Sequence, residues 1–416
     1  MVWRSWEFPR QRKCNVRQGQ AYAETMSEEP SISQPGPNRF HIQHALPSGR
    51  ARVGRLSTCH VEIDTPAFMP VGSQGTVKGL DPKEVRECGF HMILANAYHL
   101  FLRPGHELIE SLGGLHAFMQ WPGAILTDSG GYQMVSLADL CEVTEEGVGF
   151  RSHIDGAWHL LSPEKSMAIQ VALGSDIMMV LDHCPTFPCT EQQAREAVQR
   201  TTRWAKRCAV VPRKQHQWLF GIVQGGVFAQ LRQESTQELV NLNMDGYALG
   251  GLSLGEEKPA MLAMIETVID QLPSSRPRYL MGVGLPEDIV EGVARGLDLF
   301  DCVIPTRHGR TGWLFTSTGK VLIKQARYAR DPNPIDAECG CPVCTRFSRA
   351  YLRHLFLSHE MLGVRLNTVH NLWYYGSLMK GLRQAISANQ FDDYRKDFYR
   401  RRECDMRETL IQEVTT

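Results

Sequence analysis

The 416 residues predict an α/β fold, a (β/α)8 TIM barrel with an N-terminal antiparallel β element and a C-terminal zinc-binding helical subdomain. Three observations carry that prediction. Eight short apolar runs recur along the chain, each followed by a loop and a helical stretch, as strands buried on both faces require. An alternating segment precedes them, and three cysteines fall within six residues toward the C-terminus. An open doubly wound sheet is the competing arrangement for the same alternation.

Composition sets the outer bounds. With 43% hydrophobic and 22% charged residues the chain reads as a soluble globular protein. No uninterrupted apolar run approaches the ~20 residues needed to span a bilayer. The formal net charge of +0 hides an asymmetry: between Asp301 and Glu403, 17 Lys and Arg stand against 9 Asp and Glu, a local excess of +8. That imbalance points to a polyanionic partner for the last third, although scattered surface charge would give the same count. Most of the twelve cysteines, Cys88, Cys141, Cys208 and Cys302 among them, stand singly in apolar stretches, which fits reduced thiols in a cytosolic protein.

In chain order, residues 1–38 read as a disordered leader, or as sequence upstream of a start at Met26; they contain no apolar core of a secretory signal. From Arg39 to Asp64 apolar residues alternate (Phe40, Ile42; Ala51, Val53; Cys59, Val61, Ile63) around a Pro47-Ser-Gly turn, predicting antiparallel strands. The eight runs are Pro66–Val71, His91–Ala95, Ala124–Thr127, Asp176–Leu181, Trp218–Val223, Gly246–Gly250, Arg278–Val283 and Leu299–Ile304. Helices are predicted at Pro163–Leu173, Glu191–Val211, Gln230–Leu242, Lys258–Leu272 and Glu287–Gly296. A hairpin, Phe150 to Leu161, interrupts the pattern, and its Asp155-Gly156 pair fits a tight primed turn.

Barrel active sites form at the C-terminal ends of the strands. Those ends carry Asn96 and His99, Asp128-Ser129-Gly-Gly-Tyr132, Asp182-His-Cys184, Gln224-Gly-Gly, Gly250-Gly251-Leu252-Ser, Met281-Gly and Asp301. Any one of these acids alone reads as a turn cap. Their recurrence at successive strand ends suits displacement at a sugar carbon, one carboxylate attacking while a second moves the proton of the leaving group. The Gly-Gly turns let backbone groups approach a flat heterocycle, which Tyr132 and Met281 would sandwich; ordinary core packing is the plain alternative for those two. After Asp301 the chain breaks at Pro305 into a predicted loop with Arg307, His308 and Arg310, cations suited to phosphates. Cys339, Cys341 and Cys344 supply three thiolates for a structural zinc, with His354, His359 or His370 as fourth ligand; His370 is read as opening a helix that runs to about Asn389.

With these residues in view the sequence resembles the tRNA-guanine transglycosylases, most closely the bacterial type, over about Arg39 to Tyr399. The landmarks are PAFMPVGSQGTVKGL, ANAYHLFLRPG, LTDSGGYQMVSL, FRSHIDG, LLSPEKSMAIQVALGSDI, GIVQGG, GYALGGLSLGE, RYLMGVG, FDCVIPTRHGRTG and CGCPVC, in that order. The resemblance implies that Asp301 attacks the anomeric carbon of the wobble guanosine in GUN-anticodon tRNAs and that Asp128 is the general acid and base. It implies base recognition by Asp182, Gln224, Gly251, Leu252, Ser129 and Cys184, stacking by Tyr132 and Met281, and anticodon-loop contacts from Arg307 and Arg310. It also implies one structural Zn2+ per subunit on Cys339, Cys341, Cys344 and His370, a cytoplasmic homodimer, and a 7-deazaguanine as incoming base. Two positions depart from the bacterial pattern: His183 stands where an acid usually follows Asp182, and Asn96-Ala97 replaces Asn-Thr.

The corresponding domain boundaries are a leader to 38, a catalytic barrel over 39–305 with its flanking helices, a tRNA-contact and zinc subdomain over 306–403, and a tail over 404–416. Leu254, where the eukaryotic pattern has Gly, is expected to crowd the cyclopentene-diol of queuine, favouring 7-aminomethyl-7-deazaguanine. The alternatives are queuine itself, a non-catalytic tRNA-binding partner subunit, an archaeal-type enzyme with further RNA-binding domains, and a hydrolase of free nucleosides. The presence of both Asp128 and Asp301 argues against the partner subunit, and Arg307 with Arg310 argues against the hydrolase.

Overall fold

Val, Ile, Leu and Met crowd the eight runs, and in the computed structural model of the chain, which describes residues 39–131 and 141–414 with side chains through Arg402, all eight are strands. Three antiparallel strands come first, β1 (Phe40–Ala45), β2 (Arg52–Ser57) and β3 (Glu62–Thr65). The barrel strands follow as β4 (Ala67–Pro70), β5 (Met92–Asn96) and β6 (Ala124–Asp128). A second three-stranded antiparallel sheet, β7 (Cys141–Val143), β8 (Val148–Arg151) and β9 (Trp158–Leu161), is inserted before the barrel resumes. It continues with β10 (Ile177–Met179), β11 (Trp218–Val223), β12 (Gly246–Leu249), β13 (Arg278–Leu280) and β14 (Leu299–Cys302). The hairpin β15 (Trp313–Phe315) and β16 (Lys320–Leu322) completes the strands.

The eight-stranded sheet is parallel throughout, in the order β4-β14-β13-β12-β11-β10-β6-β5. A parallel bridge between Val71 and Leu94, with the Gly72 N–H on the Leu94 carbonyl at 2.7 Å, brings the two edge strands together and makes the sheet a barrel. All eight of these strands are buried along their whole length, so a one-residue slip would gain no solvent face for a charged residue. Below the barrel, Arg52 of β2 grips the fully buried Asp298 with two bonds, 2.9 Å from Nε and 2.6 Å from Nη2. The same carboxylate accepts the Arg278 N–H at 2.8 Å, so this one pair ties the N-terminal sheet to β13 and β14. Among the described residues no helix is long and apolar enough to cross a membrane.

Three sequence expectations are corrected. Pro305 does not break the chain into a loop: Ile304–Thr311 is a helix, with the proline in its first turn, where a missing N–H costs nothing. His370 does not open its helix, which starts nine residues earlier and spans Met361–Ser387. Within that helix Gly363 is a contact residue: a Cβ would come 2.9 Å from Leu355 Cβ. The β8–β9 connection is not a two-residue primed turn. Ser152 pairs with Ala157 and accepts the Gly156 N–H, so the loop is wider and only Gly156, at φ +75°, takes the left-handed conformation.

Candidate active site

Parallel strands present their last residues at one rim, and that rim gathers the polar side chains. Asn96 and Asp128 are register partners at the ends of β5 and β6, and Asn96 Nδ2 donates to Asp128 Oδ2 at 3.0 Å. Asn96 also caps the next helix, its Oδ1 accepting the His99 N–H at 3.1 Å, which fixes the amide and therefore the carboxylate beside it. The Gly130 N–H holds Asp128 Oδ1 at 3.0 Å.

Asp301, at the other side of the rim, is buried and accepts from Tyr279 Oη at 2.6 Å and the Gly282 N–H at 2.7 Å, both on Oδ1. Burial pushes its pKa up to about 6; the two donors pull it down, and the charge of Asp128 raises it further. Asp182 is pushed up to about 7, again chiefly by burial, against the lowering effect of Gln224, with Asp128 once more adding to the rise. Asp128 thus lies close enough to repel both other carboxylates, and the three form one electrostatic unit.

Beside Asp182 lies a recess. Gln224 Nε2 donates to Asp182 Oδ2 at 2.6 Å, while Gln224 Oε1 is buried with no partner. A buried acceptor left open in this way calls for a donor from a ligand. Two glycines are required here: a Cβ on Gly131 would come 2.2 Å from Asp182 Oδ1, and one on Gly251, at φ +64°, would come 2.4 Å from Gln224 Oε1 and 3.7 Å from Cys184 Sγ. Asp182, Cys184 and Gly131 line a cavity of about 280 Å³ with Cys189 and Pro185. Ser129 and Leu252 are buried, and Ser129 is anchored by Ser166, whose hydroxyl donates to its carbonyl at 3.0 Å. Met281 and Leu254 are half-buried. Tyr132 lies outside the described residues.

Two groups escape a sequence reading of strand ends. Tyr279 is inside β13, and only the barrel shows that its hydroxyl reaches Asp301. Arg232 is fully buried on the helix Ala229–Asn241 and spends its guanidinium on backbone carbonyls, of Gly226 at 2.7 Å, Gly250 at 3.0 Å and Gly251 at 3.2 Å, clamping both Gly-rich loops. The departure at His183 has a local account: its Nδ1 faces Arg200 Nη1 at 2.9 Å, and burial and that cation lower its pKa to about 4, so a neutral imidazole meets the guanidinium.

Arg307 and Arg310 share the helix that follows β14, one exposed and one half-buried, three residues apart on one side. Arg310 Nη1 is buried without a partner, and burial and Arg307 lower its pKa. His370 Nδ1 lies 3.9, 3.5 and 3.3 Å from the sulfurs of Cys339, Cys341 and Cys344. His370 Nε2 faces the Phe315 carbonyl at 2.7 Å, which fixes the tautomer that leaves Nδ1 free to coordinate. Tetrahedral zinc sets sulfur and nitrogen ligands about 3.3 to 3.8 Å apart, so the four residues fit and form a buried metal-binding cluster of the structural zinc kind.

The queuine tRNA-ribosyltransferase family profile matches residues 48–404. A protein of that name from Syntrophobacter fumaroxidans is 56% identical over 364 residues, covering 88% of this chain and 98% of its own. Those of Symbiobacterium thermophilum (54% over 364 residues, 87% of this chain and 91% of its own) and Desulforamulus reducens (51% over 362 residues, 87% and 98%) are similar. With a family profile spanning most of its length and relatives above half identity, the chain belongs to the queuine tRNA-ribosyltransferase family.

Proposed function

We propose that the chain is a tRNA-guanine transglycosylase, a pentosyltransferase that exchanges the wobble guanine of GUN-anticodon tRNAs for a 7-deazaguanine by double displacement. The observation that carries the proposal is the pair of buried carboxylates, Asp128 and Asp301, each held by its own donors and each within the other's field. Asp301 attacks C1′ of the nucleotide through Oδ2, since both described hydrogen bonds fall on Oδ1. The C1′–N9 bond breaks as the ester bond forms, and Asp128 gives its proton to the departing guanine. The incoming base then loses a proton to Asp128 and displaces Asp301 from C1′, restoring both acids.

Asp182 and the open Oε1 of Gln224 accept from the purine N–H groups, with the Gly251 backbone, Leu252, Ser129 and Cys184 around the ring and Met281 and Tyr132 against its faces. For a base read inside a recess, the target nucleotide is flipped out of the anticodon loop. Arg307 and Arg310 hold the loop phosphates. The incoming base is 7-aminomethyl-7-deazaguanine, supported by the half-buried Leu254 on the loop that follows β12, and the enzyme works as a cytoplasmic homodimer. The test is displacement of labelled guanine from tRNA by each 7-deazaguanine in turn; release of label without uptake of base marks a hydrolase instead.

The protonation states give two expected outcomes. Single-turnover adduct formation rises with pH through about 6 as Asp301 ionises. Tyr279→Phe removes a donor that lowers Asp301, so that limb moves to higher pH; an unmoved limb contradicts the assignment. Asp128→Asn keeps the shape but cannot shuttle a proton, and base exchange falls by roughly 10²- to 10⁴-fold while tRNA binding persists.

A further inference from the structure

At the opposite end of the barrel from these acids, a second set of ligand-type side chains converges. Asp176 immediately precedes β10, and its carboxylate is fully buried. Its Oδ2 accepts the Ile125 N–H at 2.8 Å and faces His116 Nε2 at 3.1 Å. Its Oδ1 points at the turn between β2 and β3, where it lies 2.7 Å from His60 Nδ1 and 3.4 Å from Cys59 Sγ. The two ligand atoms on the turn are themselves 3.3 Å apart.

The turn is built to present consecutive side chains. Thr58 closes it through its N–H on the Val61 carbonyl at 3.0 Å, and its Oγ1 accepts the N–H groups of His60 and Val61 at 3.2 and 3.1 Å. His60 is further held by stacking on His116, ring centroids 3.7 Å apart and planes at 16°. His116 therefore orients both the imidazole and the carboxylate.

We propose that Cys59, His60 and Asp176 form a second divalent-cation site of the zinc type, independent of the Cys339–His370 cluster. The thiolate, imidazole and carboxylate lie within 4.8 Å of one another. Tetrahedral zinc with such donors sets them about 3.3 to 3.7 Å apart. The two sulfur separations already match, and only the 2.7 Å contact of His60 with Asp176 must open. Cys59 is half-buried and His60 lies at the surface, so the fourth position faces solvent and takes a water. The mixed sulfur, nitrogen and oxygen set disfavours magnesium and calcium, which prefer all-oxygen ligands. A bound cation would fasten the N-terminal sheet to the start of β10.

The full chain, dialysed against a small excess of Zn2+ and counted by elemental mass spectrometry, is expected to hold two zinc ions. The Cys59→Ser, His60→Ala double variant is expected to hold one while keeping base exchange, since neither residue is in the machinery assigned above. A single zinc in the unmodified chain, or a second zinc that survives in the double variant, overturns the proposal. A measurement on the unmodified chain is independent of the variant's folding: Zn2+ slows alkylation of Cys59, followed by peptide mapping, by tenfold or more. An unchanged rate overturns the site.

Discussion

Asp301→Asn is expected to abolish the covalent tRNA adduct and to cut base exchange by roughly 10³-fold or more, the scale on which covalent catalysts lose activity without their nucleophile. The substitution is close to isosteric. An amide oxygen can still accept from Tyr279 and the Gly282 N–H, so the rim should keep its form and the loss should be chemical. Binding of tRNA, read by gel shift, should stay within a few-fold of the unmodified enzyme. A persisting adduct on a denaturing gel would move the nucleophile to another residue. Asp128 and Asp182 would be the first candidates, since they are the other two carboxylates of the same electrostatic unit.

Loss of the metal cluster should produce the largest change in stability. A structural zinc is worth on the order of 10 kcal/mol in small domains, against a total stability of about 5–15 kcal/mol for a typical protein. His370→Ala removes the ligand that comes from the long helix Met361–Ser387, and the consequences should run along that helix. Its neighbour Asn371 donates to the carbonyls of Pro305 and Trp313, both at 3.0 Å, and accepts the Phe315 N–H at 3.0 Å. The helix bearing Arg307 and Arg310 presses on the same segment, close enough that a Cβ on Gly309 would come 2.8 Å from Thr368. The variant should therefore contain less zinc, melt well below the unmodified chain by calorimetry, and bind tRNA more weakly. A zinc-free protein with unchanged melting would show that packing alone holds this region.

The eight strands were legible because each is an apolar run too short for a helix, several of them bounded by glycine or an acid, as at Ala124–Asp128 and Gly246–Leu249. The acids were legible because a barrel gives every strand end the same address. What escaped was whatever depends on a distant partner. Pro305 has the same composition signal at a helix start as at a break, and only its place after β14 decides between them. Tyr279 is one more aromatic in a buried strand, and Arg232 one more cation in an amphipathic helix. Their roles follow from the register of β13 beside β14 and from the loops after β11 and β12. Cys59 reads as strand alternation and His60 carries no signal of its own, because Asp176 is more than a hundred residues away.

The most direct test of the two-carboxylate account is to quench the enzyme with tRNA at steady state, digest both polymers, and locate the ribose-linked aspartate by mass spectrometry. The account predicts the added mass on Asp301, with Asp128 unmodified. Added mass on Asp128, or base exchange at full rate with no modified aspartate anywhere, would contradict it.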